Sequence, residues 1–234
     1  MMYFDPLYFL LLAPAMLLAF WAQWRVKANF ATAAEQPAGM SGAEAARAML
    51  NAAGLQSVGI ERVAGFLSDH YDPRAKVLRL SPEVYGGHHL AAVGIAAHEA
   101  GHAIQDATRY APLVIRNLAV PLAGFGGNTA MLVFIVGLFM GGASTAFGAW
   151  VCWLGVGLFA TVVFFQLVNL PVEFDASARA KEELAAMGIV HPQQAVYVNK
   201  VLNAAAWTYV AGTLSAVLTL VYMLIRSGLL GNRR

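Results

Sequence analysis

Residues 90–106 read LAAVGIAAHEAGHAIQD, an apolar stretch with a helical pattern that carries two histidines and one catalytic-type acid. His98 and His102 are four positions apart, so on a helix they share one face and can hold the same metal ion. Glu99 is about 100° further round the helix, within reach of a water molecule on that metal. This HExxH pattern predicts a zinc hydrolase, and a protease in particular, with Glu99 as the general base.

The residues before the motif favour a metal site over two ordinary helix histidines. Residues 90–97 are all small or apolar, which predicts a helix that is buried over most of its circumference. Burial of two imidazoles and a carboxylate is costly unless they are paired or bound to a metal. We therefore expect these side chains to hold Zn²⁺.

The composition of the 234-residue chain predicts a membrane protein. Hydrophobic residues make up 59% of it and charged residues 12%, whereas roughly a quarter of the residues in a soluble domain are charged. The net charge is +2 and no basic cluster is present, so nucleic acid is not an expected partner. The single cysteine, Cys152, excludes an intrachain disulfide, and we expect it to be a small buried hydrophobic residue.

Apolar runs predict about four transmembrane helices. The first has no charge inside it, follows Asp5 and precedes Arg25 and Lys27, which is the reverse of a cleaved signal peptide. The third run is predicted to end at Pro171. Five spans, or a re-entrant second segment, stay open because Pro121 and a glycine-rich run interrupt the second. The predicted spans are residues 7–24, 122–140, 147–170 and 207–225.

Lysine and arginine positions indicate the orientation of these spans. Four spans with the N-terminus outside place residues 25–121 and 171–206 on the inner side. All 15 lysines and arginines lie there except Arg226, Arg233 and Arg234. Because inner loops are enriched in these residues, the distribution supports this orientation.

The inner-side segments predict a small α+β region before and around the motif. A capping-box pattern begins the first helix, and alternating or β-branched residues mark two strands. The predicted elements are a helix at 42–53 capped by Ser41 and Glu44, strands at 58–64 and 76–80, a turn at 72–74, and the motif helix at 89–108. An exposed edge of this sheet could bind a peptide as an added strand, or the sheet could only cover the helix. The first alternative predicts that proline at alternate positions of 75–80 impairs cleavage.

The fold class predicted is therefore a mainly α membrane protein with a small α+β, zincin-like domain on the inner side, composed of a short sheet and the HExxH helix. The expected organisation is a first transmembrane helix at 1–27, an inner α+β segment at 28–116, a transmembrane hairpin at 117–170, an inner helical segment at 171–206, and a last transmembrane helix with a C-terminal tail at 207–234.

A third zinc ligand is expected, since catalytic zinc usually has three protein ligands. Glu173 and Asp175 are rare acids at the inner end of a long apolar span. They are about 200° apart on a helix, so both cannot face one metal. Glu173 is favoured, and Asp175 is the alternative.

Three runs together resemble the YugP-type neutral zinc metallopeptidases of bacterial membranes. They are SDHYDPRAKVLRLSPEVY at 68–85, LAAVGIAAHEAGHAIQ at 90–105 and NLPVEFDASARA at 169–180, within a likeness that spans roughly residues 41–205. More distantly, the chain is similar to the CAAX-prenyl-protease and HtpX group. The resemblance implies a gluzincin-like enzyme of the bacterial inner (plasma) membrane, with its active site on the cytoplasmic side.

The resemblance also implies residue roles. His98, His102 and Glu173 would be the zinc ligands and Glu99 the base. Ser177 stands where the distant group has an aspartate, so another side chain would have to orient an imidazole. Asp106, one turn beyond His102, is the predicted substitute.

Other inner-side polar residues have less specific roles. The run at 69–73 is predicted to be a turn, and His88-His89 to be the approach to the motif helix rather than a second metal site. A donor for the oxyanion of the reaction is also needed. The candidates are His70, Tyr71, Arg179, His191 and Tyr197.

The expected partners are a peptide or protein substrate, including membrane proteins, and the lipid bilayer. The oligomeric state is open. Two other functions compete with an inner-surface protease: an intramembrane protease, and a non-catalytic scaffold stabilised by zinc. A metal transporter is disfavoured because the first, third and fourth spans contain no charge.

Overall fold

The computed structural model describes residues 5–65 and 67–228, and helices dominate this part of the chain. The last six residues of the segment predicted at 207–234, which include Arg233 and Arg234, lie outside the described residues. The elements are α1 Pro6–Ala34, α2 Gly42–Ala52, β1 Gly59–Arg62, β2 His70–Asp72, β3 Val77–Leu80, α3 Pro82–Gly86, α4 Leu90–Ala107, α5 Ala111–Phe139, α6 Ala146–Ala186 and α7 Pro192–Arg226.

Four of the described helices, α1, α5, α6 and α7, are long and apolar enough to cross a membrane. This confirms the prediction of a mainly α membrane protein with about four spans. The helices are longer than the predicted spans, because each one also contains residues outside the apolar run. The 41 residues of α6 extend over about 60 Å, twice the hydrocarbon thickness of a bilayer.

Helix α6 continues through Pro171, the residue at which the third apolar run is predicted to end. A proline inside a helix costs about 3 kcal/mol because it removes a backbone hydrogen bond. Beyond it, however, Val172, Ala176, Ala180 and Leu184 recur every four residues and are completely or almost completely buried. Burial of this helical face offsets the cost of the proline and keeps the segment helical.

The chain forms two compact units. The first contains residues 5–20, 115–170 and 209–228, and its core includes Cys152, which is buried as predicted. The second contains residues 21–114 and 171–208, and therefore the sheet, the motif helix and both acids of the predicted third-ligand pair.

The sheet of the second unit has the described strands in the order β1-β3-β2. The central strand β3 runs parallel to β1 and antiparallel to β2, so Leu78 pairs with Ile60 on one side and Tyr71 on the other. The hypothesis that residues 75–80 form an exposed edge is therefore wrong. The prediction that 69–73 is only a turn also fails, because residues 70–72 form β2, although Asp72 does begin a turn by accepting hydrogen bonds from the N–H groups of Arg74 and Ala75.

The core of the second unit forms where α2 and the sheet pack on α4. The predicted capping box is present: the Ser41 hydroxyl accepts from the N–H of Glu44, and the Glu44 carboxylate accepts from the N–H of Ser41. One face of α2 and two side chains of β3 are buried in this core: Ala45, Ala46, Met49, Leu50, Leu78 and Leu80. The packing holds α4 at the centre of the unit.

Candidate metal centre

The motif helix α4 is buried over most of its surface, as its sequence predicts. Fourteen of its 18 residues are buried. His89 caps its N-terminus, and Nδ1 of this histidine accepts a hydrogen bond from the N–H of Ala92. This confirms that His88-His89 is the approach to the helix.

The structure brings His98, His102 and Glu173 together. Glu173 Oε2 lies 3.3 Å from Nε2 of His98 and 3.5 Å from Nε2 of His102. All three side chains are buried, and their donor atoms lie within 4.8 Å of one another. They form a group that could hold one metal ion.

The two distances from the Glu173 oxygen to the histidine nitrogens fit a zinc ion. Zinc–ligand bonds of about 2.1 Å at tetrahedral angles place two donor atoms about 3.4 Å apart. The observed separations, 3.3 and 3.5 Å, bracket this value and are longer than the roughly 2.9 Å that is usual for N–H···O hydrogen bonds. Two imidazole nitrogens and one carboxylate oxygen are also a donor set that zinc prefers.

The other nitrogen of each imidazole has its own partner. His98 Nδ1 lies 3.1 Å from the hydroxyl oxygen of Ser177, and His102 Nδ1 lies 3.0 Å from Oε1 of Gln105. Ser177 thus contacts a histidine from the position where the distant group has an aspartate. The prediction that Asp106 orients an imidazole is not supported, because its carboxylate accepts from Tyr71 and Lys76 instead.

Asp175, the alternative third ligand, is engaged elsewhere. Its Oδ2 accepts a hydrogen bond of 2.8 Å from Gln105 Nε2 and one of 2.6 Å from Arg179 Nε. Glu173 lies two positions earlier on the same helix and is the acid that contacts both histidines. Glu173 therefore faces the histidines and Asp175 does not, as expected for two positions about 200° apart on a helix.

Gly101, between the two histidines, allows α4 and α6 to approach closely. A Cβ at this position would lie 2.7 Å from the backbone carbonyl oxygen of Ala176. This close approach was not predicted from the sequence. The sequence does contain a hint of it. Glycine inside a helix costs about 1 kcal/mol relative to alanine, so a glycine between the two histidines of a motif helix indicates that another segment approaches closely there.

Glu99 is buried, with 8% of its surface exposed. Burial lowers the pKa of His102, but contact with Glu173 and the charge of Glu99 raise it more, so the net shift is upward. Burial raises the pKa of Asp69, and the charge of Glu99 adds to this shift while hydrogen bonds from Ser81 oppose it.

The five candidate oxyanion donors have different contacts. Tyr71 donates to Asp106, and Arg179 pairs with Asp175. The ring nitrogen Nδ1 of the exposed His70 lies 2.8 Å from the carbonyl oxygen of Ser68. His191 is exposed at the start of α7, and Tyr197 packs against the core of the second unit.

Comparison with known proteins adds two findings. The profile of the family described as "Putative neutral zinc metallopeptidase" matches residues 8–228. The chain is also 42% identical over 217 residues to the "Putative membrane protease YugP" of Bacillus subtilis (strain 168), an alignment that covers 92% of this chain and 94% of that protein. No solved structure matches the chain.

Proposed function

Because this chain belongs to the neutral zinc metallopeptidase family, we propose that it is a membrane-embedded zinc metalloendopeptidase that hydrolyses peptide bonds near the cytoplasmic face of the membrane. The observation that carries this proposal is the spacing of the Nε2 atoms of His98 and His102 from Oε2 of Glu173, which matches the ligand spacing of a tetrahedral zinc ion.

His98 and His102 would hold the zinc through Nε2, and Glu173 through Oε2. Bound zinc polarises a peptide carbonyl and lowers the pKa of water towards about 7. The described part of the chain places no fourth His, Cys, Asp or Glu in this group. Three protein ligands are typical of catalytic zinc, whereas structural zinc has four, which favours an enzyme over a scaffold.

Glu99 would move the proton in the reaction. Glu99 is next to His98 in the sequence, and its side chain is buried in the same helix. In the proposed role it accepts a proton from the attacking water and gives it to the departing amide nitrogen. A scaffold would have no use for a buried acid at this position.

The edge of β2 is the proposed place for the substrate backbone. Among the strands that the structure describes, β2 pairs only with β3 and is an edge of the sheet. Tyr71 on this strand donates to Asp106 on the motif helix, which ties the strand to α4. A peptide that added to β2 would run beside the motif helix, with main-chain hydrogen bonds that depend little on side chains.

The location near the membrane face is supported by α6. Residues 146–170 of this helix are almost entirely apolar, and the proposed ligand Glu173 follows within one turn. Arg179 and Lys181 come next, as is typical of the cytoplasmic end of a span. An intramembrane position is less well supported, because the charged residues around Glu173 would lie in hydrocarbon.

The proposal is tested with the full-length protein in detergent, by zinc content and by cleavage of a mixture of quenched fluorescent peptides. Glu99→Gln should keep the zinc and lose cleavage, because only the proton acceptor is removed. His98→Ala should lose both, and His88→Ala, which changes an exposed histidine outside the metal-binding group, should lose neither. Full cleavage by the Glu99→Gln protein would contradict the mechanism. A wild-type protein that holds zinc and cleaves no peptide would indicate the scaffold instead.

A further inference from the structure

We infer that Gln105 is a positioning residue that sets which nitrogen of His102 carries the proton, and that Asp175 and Arg179 hold Gln105 in the orientation that this requires. The role rests on the proposed zinc site, since it concerns one of the two imidazoles that would bind the metal. It assigns a purpose to Asp175, an acid next to the site that does not join the metal-binding group.

The orientation of the Gln105 side-chain amide follows from its neighbours. Gln105 is completely buried. Its Nε2 lies 2.7 Å from the carbonyl oxygen of Val172 and 2.8 Å from Oδ2 of Asp175. Both of these atoms are acceptors, so they use the two N–H donors of the amide. A flipped amide would place its oxygen against two other oxygens, and the oxygen must therefore face His102.

This orientation determines the tautomer of His102. Gln105 Oε1 is 3.0 Å from His102 Nδ1, and a carbonyl oxygen can only accept. The Nδ1 atom must then carry the hydrogen. In a neutral imidazole this leaves the lone pair on Nε2, the atom that lies 3.5 Å from Glu173 Oε2. Gln105 thus keeps His102 in the form that binds a metal through Nε2.

The second imidazole is not constrained in this way. The partner of His98 Nδ1 is the hydroxyl of Ser177, which can donate or accept because its hydrogen rotates. The Ser177 hydroxyl is therefore compatible with either tautomer of His98, whereas the Gln105 oxygen is compatible with one tautomer of His102. The two histidines look equivalent in the HExxH pattern. They differ in how strongly their Nδ1 partners fix the tautomer that binds a metal through Nε2.

Asp175 is itself held in place. Arg179, one turn later on α6, donates from Nε to Asp175 Oδ2 at 2.6 Å, and its guanidinium carbon lies 5.7 Å from the centre of the Tyr110 ring. The carboxylate has little freedom to turn away from Gln105. The chain of contacts runs from a partly exposed arginine through an acid and an amide to a buried imidazole.

The first test is zinc affinity, measured with the full-length protein in detergent by competition with a chelator. Gln105→Leu should weaken zinc binding about 10- to 100-fold, the usual range for loss of such a partner. Asp175→Asn keeps the size and one acceptor and should weaken it less. The matched control is Asp106→Asn, which changes the next residue of α4 but leaves the partners of Gln105 intact, and it should bind zinc like the wild type.

The second test is the nitrogen spectrum of the histidines, which requires neither zinc nor activity. The chain has six histidines, so selective ¹⁵N labelling and His102→Gln identify the signals of His102. At alkaline pH the metal-free wild type should show His102 protonated on Nδ1, and Asp175→Asn should show a mixture of tautomers or faster exchange of that proton. If Gln105→Leu fails to fold, the Asp175→Asn protein still tests whether the held amide of Gln105 sets the tautomer of His102.

Two results would overturn the inference: His102 protonated on Nε2 in the metal-free wild type, or a folded Gln105→Leu protein with wild-type zinc affinity. A wild-type protein that binds no zinc would overturn the proposed function instead. In that case the nitrogen spectrum alone would still decide whether Gln105 sets the tautomer.

Discussion

Gly101 of the motif helix α4 lies against the backbone of Ala176 on α6. The position of a Cβ at residue 101 would be 2.7 Å from the Ala176 carbonyl oxygen. Real Cβ atoms do not come so close to a backbone oxygen. The missing side chain therefore sets how near Glu173 can come to His98 and His102.

Gly101→Ala should push the two helices apart, weaken zinc binding and lower the free energy of unfolding by about 1–3 kcal/mol, as overpacking usually does. Zinc titration and thermal unfolding measure the two effects. Gly94→Ala is the matched control on the same helix, because its Cβ would meet only the side chain of Val198, at 3.1 Å. Equal zinc affinity of the two variants would contradict the importance of the contact.

Glu173→Gln should weaken zinc binding by more than about 100-fold, which exceeds the effect of losing a residue that only supports a ligand. The reason is that the carboxylate contributes both a donor atom and the negative charge that offsets the metal. Zinc content after dialysis is the measurement. Glu182→Gln, an exposed residue on the same helix, should retain the metal. If Glu173→Gln retained it too, the third ligand would have to be sought elsewhere.

Tyr71→Phe should lower the free energy of unfolding by about 1 kcal/mol, the usual contribution of one hydrogen bond. Burial, together with the hydrogen bond to Asp106, raises the pKa of the Tyr71 hydroxyl, so it stays a donor at neutral pH. Denaturant unfolding followed by near-ultraviolet circular dichroism measures the change. Tyr85→Phe, which keeps the ring that stacks under Arg62, serves as the comparison and should unfold like the wild type.

Asp72 should make the sheet sensitive to acid. A hydrogen bond from Arg79, followed by those from the N–H groups of Ala75 and Arg74, lowers the pKa of Asp72 to about 2, below the unfolded value of about 3.9. A lowered pKa means that Asp72 stabilises the fold above about pH 4 and loses this effect as the pH falls through about 2.

The difference in melting temperature between the wild type and Asp72→Asn should therefore be constant above about pH 5 and shrink between about pH 4 and pH 2. Glu35→Gln provides a control, because this residue makes no ion pair in the described part of the chain. A wild-type advantage over Asp72→Asn that did not change with pH would show that the charge of Asp72 is not what stabilises the turn.

Features that depend on neighbouring residues in the sequence could be predicted. The motif helix and the capping box follow from spacings of three and four residues, which have the same meaning in any helix. Strand β2 could not be found in this way, because three residues are too few to show an alternating pattern. Once it was missed, β3 was placed at an edge rather than in the centre of the sheet.

Features that depend on contacts between distant segments were predicted less well. Gln105 and Asp106 are three and four residues after His102, so either could reach the imidazole. The charge of Asp106 favours the acid as the partner of His102. Gln105 is the partner instead, because the Val172 carbonyl and Asp175 on α6 bind its amide group. The same packing of α6 on α4 keeps α6 helical beyond Pro171. The residues next to the proline do not predict this continuation, because it depends on a distant segment.

The contact between Ser177 and His98 joins residues that are 79 positions apart in the chain. During synthesis the first histidine therefore leaves the ribosome long before its partners on α6, and two apolar helices must be inserted into the membrane in between. A chain that stops before residue 173 has the HExxH helix but lacks the third residue of the proposed zinc site. A partly synthesised chain would therefore lack the proposed activity until the third membrane helix has been made.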